Sequence, residues 1–97
     1  MAAKIRPCVI VSTGIADTDR ALITIVPRTT STRGTNYEAA VAVPFLKPGA
    51  FDAQGIVTLP VVRCVRLLGT LSAAQMQPIE DAICRWLELP VQRHAPS

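Results

Sequence analysis

Charge is scarce in this chain: 18% of its 97 residues are Asp, Glu, Lys or Arg, against 49% apolar. Disordered chains are highly charged and poor in apolar residues, so this composition excludes disorder and calls for a packed core. Aromatic residues number only four. The apolar content is mainly Ala, Val, Leu and Ile, which suits a compact core of small side chains rather than a large ligand pocket. There is one histidine, His94, and three widely spaced cysteines, Cys8, Cys64 and Cys84, with no Cys-x-x-Cys pair. A disulfide framework and a zinc site both need more than that. The expectation is buried free thiols in a reducing compartment, with no metal and no cofactor.

Long apolar runs are missing too. The longest, Ala39 to Leu46, falls far short of the roughly 20 residues of a membrane-spanning helix. The opening, Met1 to Pro7, carries no secretory pattern, because Arg6 and Pro7 interrupt it at once. The chain therefore reads as cytoplasmic, without a membrane partner. Its length fits one domain, residues 1–89, followed by a flexible tail, 90–97, that holds His94.

A net charge of +3 is too mild to mark a nucleic-acid binder by itself. Its distribution is more informative. Through residue 37 the basic side chains are Lys4, Arg6, Arg20, Arg28 and Arg33, and the only acids, Asp17 and Asp19, share one turn. The rest of the N-terminal third is locally basic.

What is present reads as strands first and a helix last. Lys4 to Ser12 contains Cys8-Val9-Ile10-Val11, a β-branched run suited to a strand covered on both faces, with Pro7 at its beginning. A loop through Thr13-Gly14 and Asp17-Thr18-Asp19 leads to a second strand, Arg20 to Val26, which Pro27 closes. Tyr37 to Val43 alternates, with Tyr37, Ala39, Val41 and Val43 on one face. Pro44 and Pro48-Gly49 end it. Gln54 to Leu59 makes a short fourth strand stopped by Pro60, and Val61 to Leu68 is a strand or a mixture of turn and strand. Short strands at about ten-residue spacing point to a small β-barrel. At the C-terminus Ser72 and Gln75 form a capping box, and Leu71 can staple against Met76. Ile79, Ala82, Ile83, Trp86 and Leu87 then recur at helical spacing. Pro78 favours a first turn over 72–77 and a helix proper from Pro78, ended at Leu89-Pro90. Trp86 is expected in the core, Tyr37 half-buried on its strand, and Arg63, Arg66 and Glu38 on the solvated surface.

Between the second and third strands lies Val26-Pro27-Arg28-Thr29-Thr30-Ser31-Thr32-Arg33-Gly34, with four consecutive hydroxyls and two guanidiniums. Such residues usually make only a polar turn. At a strand end they also suit phosphate oxygens, because Arg offers a planar fork of donors and Ser and Thr offer short ones.

Paired with Arg6-Pro7-Cys8-Val9-Ile10-Val11-Ser12, this stretch resembles the MazF/PemK family, the endoribonuclease toxins of type II toxin–antitoxin modules. The resemblance continues through Leu68-Gly69-Thr70-Leu71-Ser72 and the helix from Met76 to Leu89, so it spans roughly residues 5–89. It implies a mainly β fold, an SH3-like small barrel of the PemK/CcdB type with one C-terminal α-helix. It also implies a homodimer that cleaves single-stranded RNA without metal and is neutralised by a small antitoxin. Arg6 matches the family's catalytic Arg before Pro, and Thr29 its catalytic Thr or Ser beyond the second strand. Arg28, Thr30, Ser31 and Arg33 match the loop that flanks bound RNA. Such toxins open with one more strand, carrying a Gly-Asp/Glu-hydrophobic-Trp-like pattern, and a long loop before the Arg-Pro. Here Arg-Pro comes almost at once, which leaves a barrel edge unpaired. A start codon placed too far downstream is the favoured explanation, ahead of a degenerate remnant or a strand supplied by a partner chain. The rivals to a nuclease are an inactive toxin-like protein that binds antitoxin, a gyrase-poisoning barrel and a general nucleic-acid-binding barrel.

Overall fold

The computed structural model describes residues 5–90, and the tail holding His94 lies outside the described residues. Five antiparallel strands and one C-terminal helix make the fold mainly β. The strands are β1 (Cys8–Ile10), β2 (Leu22–Thr29), β3 (Glu38–Ala39), β4 (Ala50–Asp52) and β5 (Val57–Pro60), and the helix is α1 (Ala73–Leu87).

β2 is the element to which most of the others pair. β1 lies along one edge, with Cys8 opposite Pro27 and Ile10 opposite Ile25. The other edge changes partner partway: β5 pairs with Leu22–Ile25, and β4 with Arg28 and Thr29. β3 adds outside β4, so the order is β1-β2-β4-β3 with β5 beside the first half of β2. Pro27 was expected to end this strand, yet β2 runs two residues past it. The hydrogen bonds supply the reason. The amide of Arg28 donates to Pro7 O at 2.9 Å and that of Val11 to Thr24 O at 2.9 Å, so even-numbered residues of β2 bond toward β1. Pro27 then turns its missing N–H to the other edge, at the changeover where neither β5 nor β4 is paired. The 3₁₀ turn Ala53–Gly55, which joins β4 to β5, packs there with Gly55 against the Pro27 ring.

Alternation along β2 separates two faces. Val26 and Arg28 look toward α1, and Ile23 and Ile25 look the other way. On the α1 side Val26, Ala39, Val41, Val43, Phe51, Ala53, Ile79 and Ala82 form the core, with Leu71, Met76 and Ile83 packed against it. The face read from residues 37–43 therefore buries as expected, although only Glu38 and Ala39 pair as strand. β4 was not foreseen, and residues 61–70 are exposed, a 3₁₀ turn at Val61–Arg63 followed by irregular chain.

The Ser72–Gln75 capping box forms, with Gln75 N bonded to Ser72 Oγ at 3.1 Å and Ser72 N to Gln75 Oε1 at 2.8 Å. The helix starts at Ala73 rather than near Pro78 and carries Pro78 inside it, at an exposed position. It stops at Glu88, which adopts a left-handed φ of 55°. Two burial expectations need correction. Trp86 is 39% exposed, because the last turn of α1 runs past the core and its indole meets Tyr37 edge-on, ring centroids 5.2 Å apart. The thiols are not in the core either: Cys8 and Cys64 are exposed and Cys84 is half-buried, all three free.

Candidate functional site

The polar stretch after β2 is built by the strand's own continuation. Because β2 runs to Thr29, alternation sends Arg28 inward and Thr29 outward, onto the face away from α1. The β1–β2 register pairs Cys8 with Pro27, and the Arg28 N–H to Pro7 O bond carries it one residue further. The paired residues stop at Cys8 and the last bond at Pro7, so Arg6 lies just before β1 and Thr29 ends β2. Arg6 is exposed and Thr29 half-exposed, each next to the Pro7–Arg28 bond on its own segment.

Thr29 is further constrained. Its Oγ1 accepts from the Ser31 amide at 3.0 Å, which turns the chain immediately after the strand. On its other side Gly49 crosses so close that a methyl group there would overlap the Thr29 carbonyl. Only glycine fits that approach. Thr30, Ser31 and Arg33 follow on the surface, all exposed.

Arg28 does not belong with them. It is only 5% exposed, and its guanidinium is engaged internally: Nη1 donates to Val41 O at 3.0 Å and Nη2 to Lys47 O at 3.0 Å. The Phe51 ring lies 4.8 Å from its central carbon. Burial lowers its pKa, although an arginine stays protonated at any ordinary pH. The expected RNA-flanking cation is instead a clamp between β2 and the 41–47 segment. The sequence reading failed here because it ended the strand at Pro27, which put residue 28 in the loop.

Two groups on β1 and β3 are excluded as strong bases. Packing around the Cys8 sulfur, and then the Cys64 thiol nearby, raise the pKa of Cys8 and keep it protonated. Glu38 is held ionised but occupied: Oε1 accepts from the amides of Arg33 at 3.0 Å and Thr35 at 3.1 Å, and Oε2 from Arg33 at 3.0 Å. Those amides lower its pKa. Expected to be an idle surface residue, Glu38 fastens the polar loop to β3. The sequence carried one sign of this, an Arg-Gly turn with a carboxylate four residues after the glycine.

Among the described residues no three His, Cys, Asp or Glu side chains gather as a metal site. A groove of about 610 Å³, lined by Arg28, Val41 to Pro44, Gly49 and Gln75, lies on the α1 side of β2, and none of Arg6, Thr29, Ser31 and Arg33 lines it. A second, of about 360 Å³, lies at the far end of β1 between Val11, Met76 and Cys84. No helix of the described residues is long and apolar enough to cross a membrane.

Comparison with known proteins fits this architecture. A family model described as PemK-like, MazF-like toxin of type II toxin–antitoxin systems matches residues 2–87. No curated protein matches the chain. Among solved structures, an endoribonuclease from a mycobacterial species superposes with a TM-score of 0.77 at 28% identity, over 90% of this chain and 84% of that one. An endoribonuclease in complex with its cognate antitoxin, also mycobacterial, gives a TM-score of 0.76 at 28% identity over the same shares. The Mycobacterium tuberculosis toxin MazF-mt6 shares the fold, with a TM-score of 0.73 at 24% identity over 89% of each chain.

Proposed function

The chain belongs to the PemK-like, MazF-like toxins of type II toxin–antitoxin systems, and we propose that it works as an endoribonuclease that cuts single-stranded RNA. What supports it is the antiparallel pairing of β1 with β2, whose last bond, Arg28 N–H to Pro7 O, stands next to Arg6 on one segment and Thr29 on the other. Attack by a ribose 2′-hydroxyl on the adjacent phosphorus forms the O2′–P bond and breaks the P–O5′ bond. It leaves a cyclic phosphate and a free 5′-hydroxyl, the proton of the 2′-hydroxyl passing through solvent water to the departing O5′. Negative charge builds on the five-coordinate phosphorus, and a cation aimed at its oxygens stabilises that state more than the ground state. Arg6 supplies the cation through its guanidinium. Thr29 holds the phosphate or the attacking hydroxyl in line through its O–H. Among the described residues Cys8 is protonated and Glu38 is committed to amides, so neither offers a strong general base and a slow reaction is expected. Thr30, Ser31 and Arg33 line the RNA path.

The partners follow from the same reading. One similar structure is bound to its cognate antitoxin, and an acidic antitoxin segment across the basic surface around Arg6 and Arg33 would exclude RNA. A homodimer accounts for the exposed apolar chain after β5, where Val62 is 83%, Val65 69% and Leu67 81% exposed. Such a toxin acts on cytoplasmic mRNA.

The test is cleavage of a single-stranded RNA by the purified protein, in chelator, beside the Arg6→Ala and Thr29→Ala variants. Removing one donor of this kind costs on the order of 100-fold in kcat. Replacing the ribose at the cut site by deoxyribose should abolish cleavage. Undiminished activity of Arg6→Ala overturns the assignment.

A further inference from the structure

The loop that carries Ser31 and Arg33 is exposed and has no core of its own, yet three of its amides converge on one carboxylate. Gly34 has a φ of 69°. That left-handed step turns successive N–H groups toward one side, the geometry of a backbone anion cradle. The cradle is already filled. Glu38 receives the Arg33 amide on both oxygens at 3.0 Å and the Thr35 amide at 3.1 Å, and the Gly34 amide adds to the same pull. Glu38 itself is firmly placed: it pairs with Asp52 of β4, and its neighbour Ala39 pairs with Phe51 in the core. The carboxylate is therefore a strut from the core to the loop.

We propose that Glu38 is the positioning residue of the RNA-flanking loop, filling the Arg33–Thr35 amide cradle so that Ser31 and Arg33 stand ordered beside Thr29 before RNA arrives. The proposal deepens, and rests on, the endoribonuclease reading. Hydrogen bonds between amides and a charged acceptor are among the stronger ones. They hold the loop in one conformation, so its ordering does not have to be met from binding energy. With the Ser31, Arg33, Gly34 and Thr35 amides occupied internally, the loop's contribution to RNA binding falls mainly on the side chains of Thr30, Ser31 and Arg33.

The test uses the full chain with Glu38→Ala and the near-isosteric Glu38→Gln, which keeps one acceptor oxygen. Loss of the cradle should lower kcat/KM for RNA cleavage about tenfold in Glu38→Ala, mainly through KM, and less in Glu38→Gln. Amides of Arg33, Gly34 and Thr35 should exchange with solvent faster, while those of Val26 and Phe51 do not. Formate, a small carboxylate able to enter the vacated cradle, should restore part of the activity of Glu38→Ala, and formamide should not. Wild-type cleavage and unchanged loop amides in both variants overturn the proposal. So does a loss matched by faster exchange at Val26 and Phe51 and unmoved by formate, which makes Glu38 merely structural. Should Glu38→Ala fail to fold, Glu38→Gln alone decides through the same cleavage and exchange measurements. Should the wild type cut no RNA, the nuclease reading fails, and the exchange measurement still decides what Glu38 does for the loop.

Discussion

Two arginines five residues apart do opposite jobs, and burial decides which does which. Arg28 is inside, with Val41 O and Lys47 O as its acceptors. Arg28→Met fills similar space but leaves those carbonyls without donors, each an unmet need of about 1–3 kcal/mol. A destabilisation of about 2 kcal/mol is expected, seen as a melting temperature lower by roughly 10 °C. Arg33 is exposed. Arg33→Ala should melt where the wild type does, but bind RNA more weakly and with a shallower dependence on salt, as loss of a phosphate contact requires. Glu38 adds a pH dependence whose sign follows from its lowered pKa. Its contribution to loop order is complete above the ordinary Glu value of about 4.3 and is lost as pH falls through the lower folded value. The Arg33 and Thr35 amide signals should therefore hold steady down to about pH 4 and shift only below it.

At the scale of elements, the helix was the most legible part of the sequence. The capping box at Ser72 and Gln75 has a local chemical signature, and it forms as expected. Ser72→Ala should cost about 1 kcal/mol, measurable by denaturant unfolding, with no change in cleavage rate per folded molecule. The strands were less legible. β1 and β3 are short and bounded by residues with weak local preference, and β4 gave no signal, because its pairing with β2 and β3 is made at long range. Pro27 misled for the same reason. A proline forbids a strand only where its N–H is needed, and which edge it faces is not a local property.

For the whole molecule, the chain from Val61 to Thr70 is exposed throughout and rich in Val and Leu. A surface of that kind is expected to be covered by a second copy. Leu67→Asp should shift the protein from dimer to monomer in sedimentation equilibrium, with secondary structure retained. If the wild type already sediments as a monomer, the dimer reading fails. The candidate site was legible in part. Arg6 and Thr29 stand out by motif, and the bond between their neighbours Pro7 and Arg28 supports pairing them in the proposed site. Arg28 was named from the same motif and is buried.

By itself the sequence determined composition and local pattern: an apolar core of small side chains, a capped amphipathic helix after a run of strands, and a hydroxyl-rich stretch following an Arg-Pro. These depend on neighbours within a few residues, and those neighbours are written in the chain. Only the tertiary structure decided which side of β2 each residue faces, where that strand changes partners, and that Glu38 fastens the loop while Arg28 clamps the interior. Those outcomes hang on pairing between residues 12 to 38 apart in the chain, from Ala39 with Phe51 to Leu22 with Pro60, and a one-residue slip of register turns a strand's side chains to the other face.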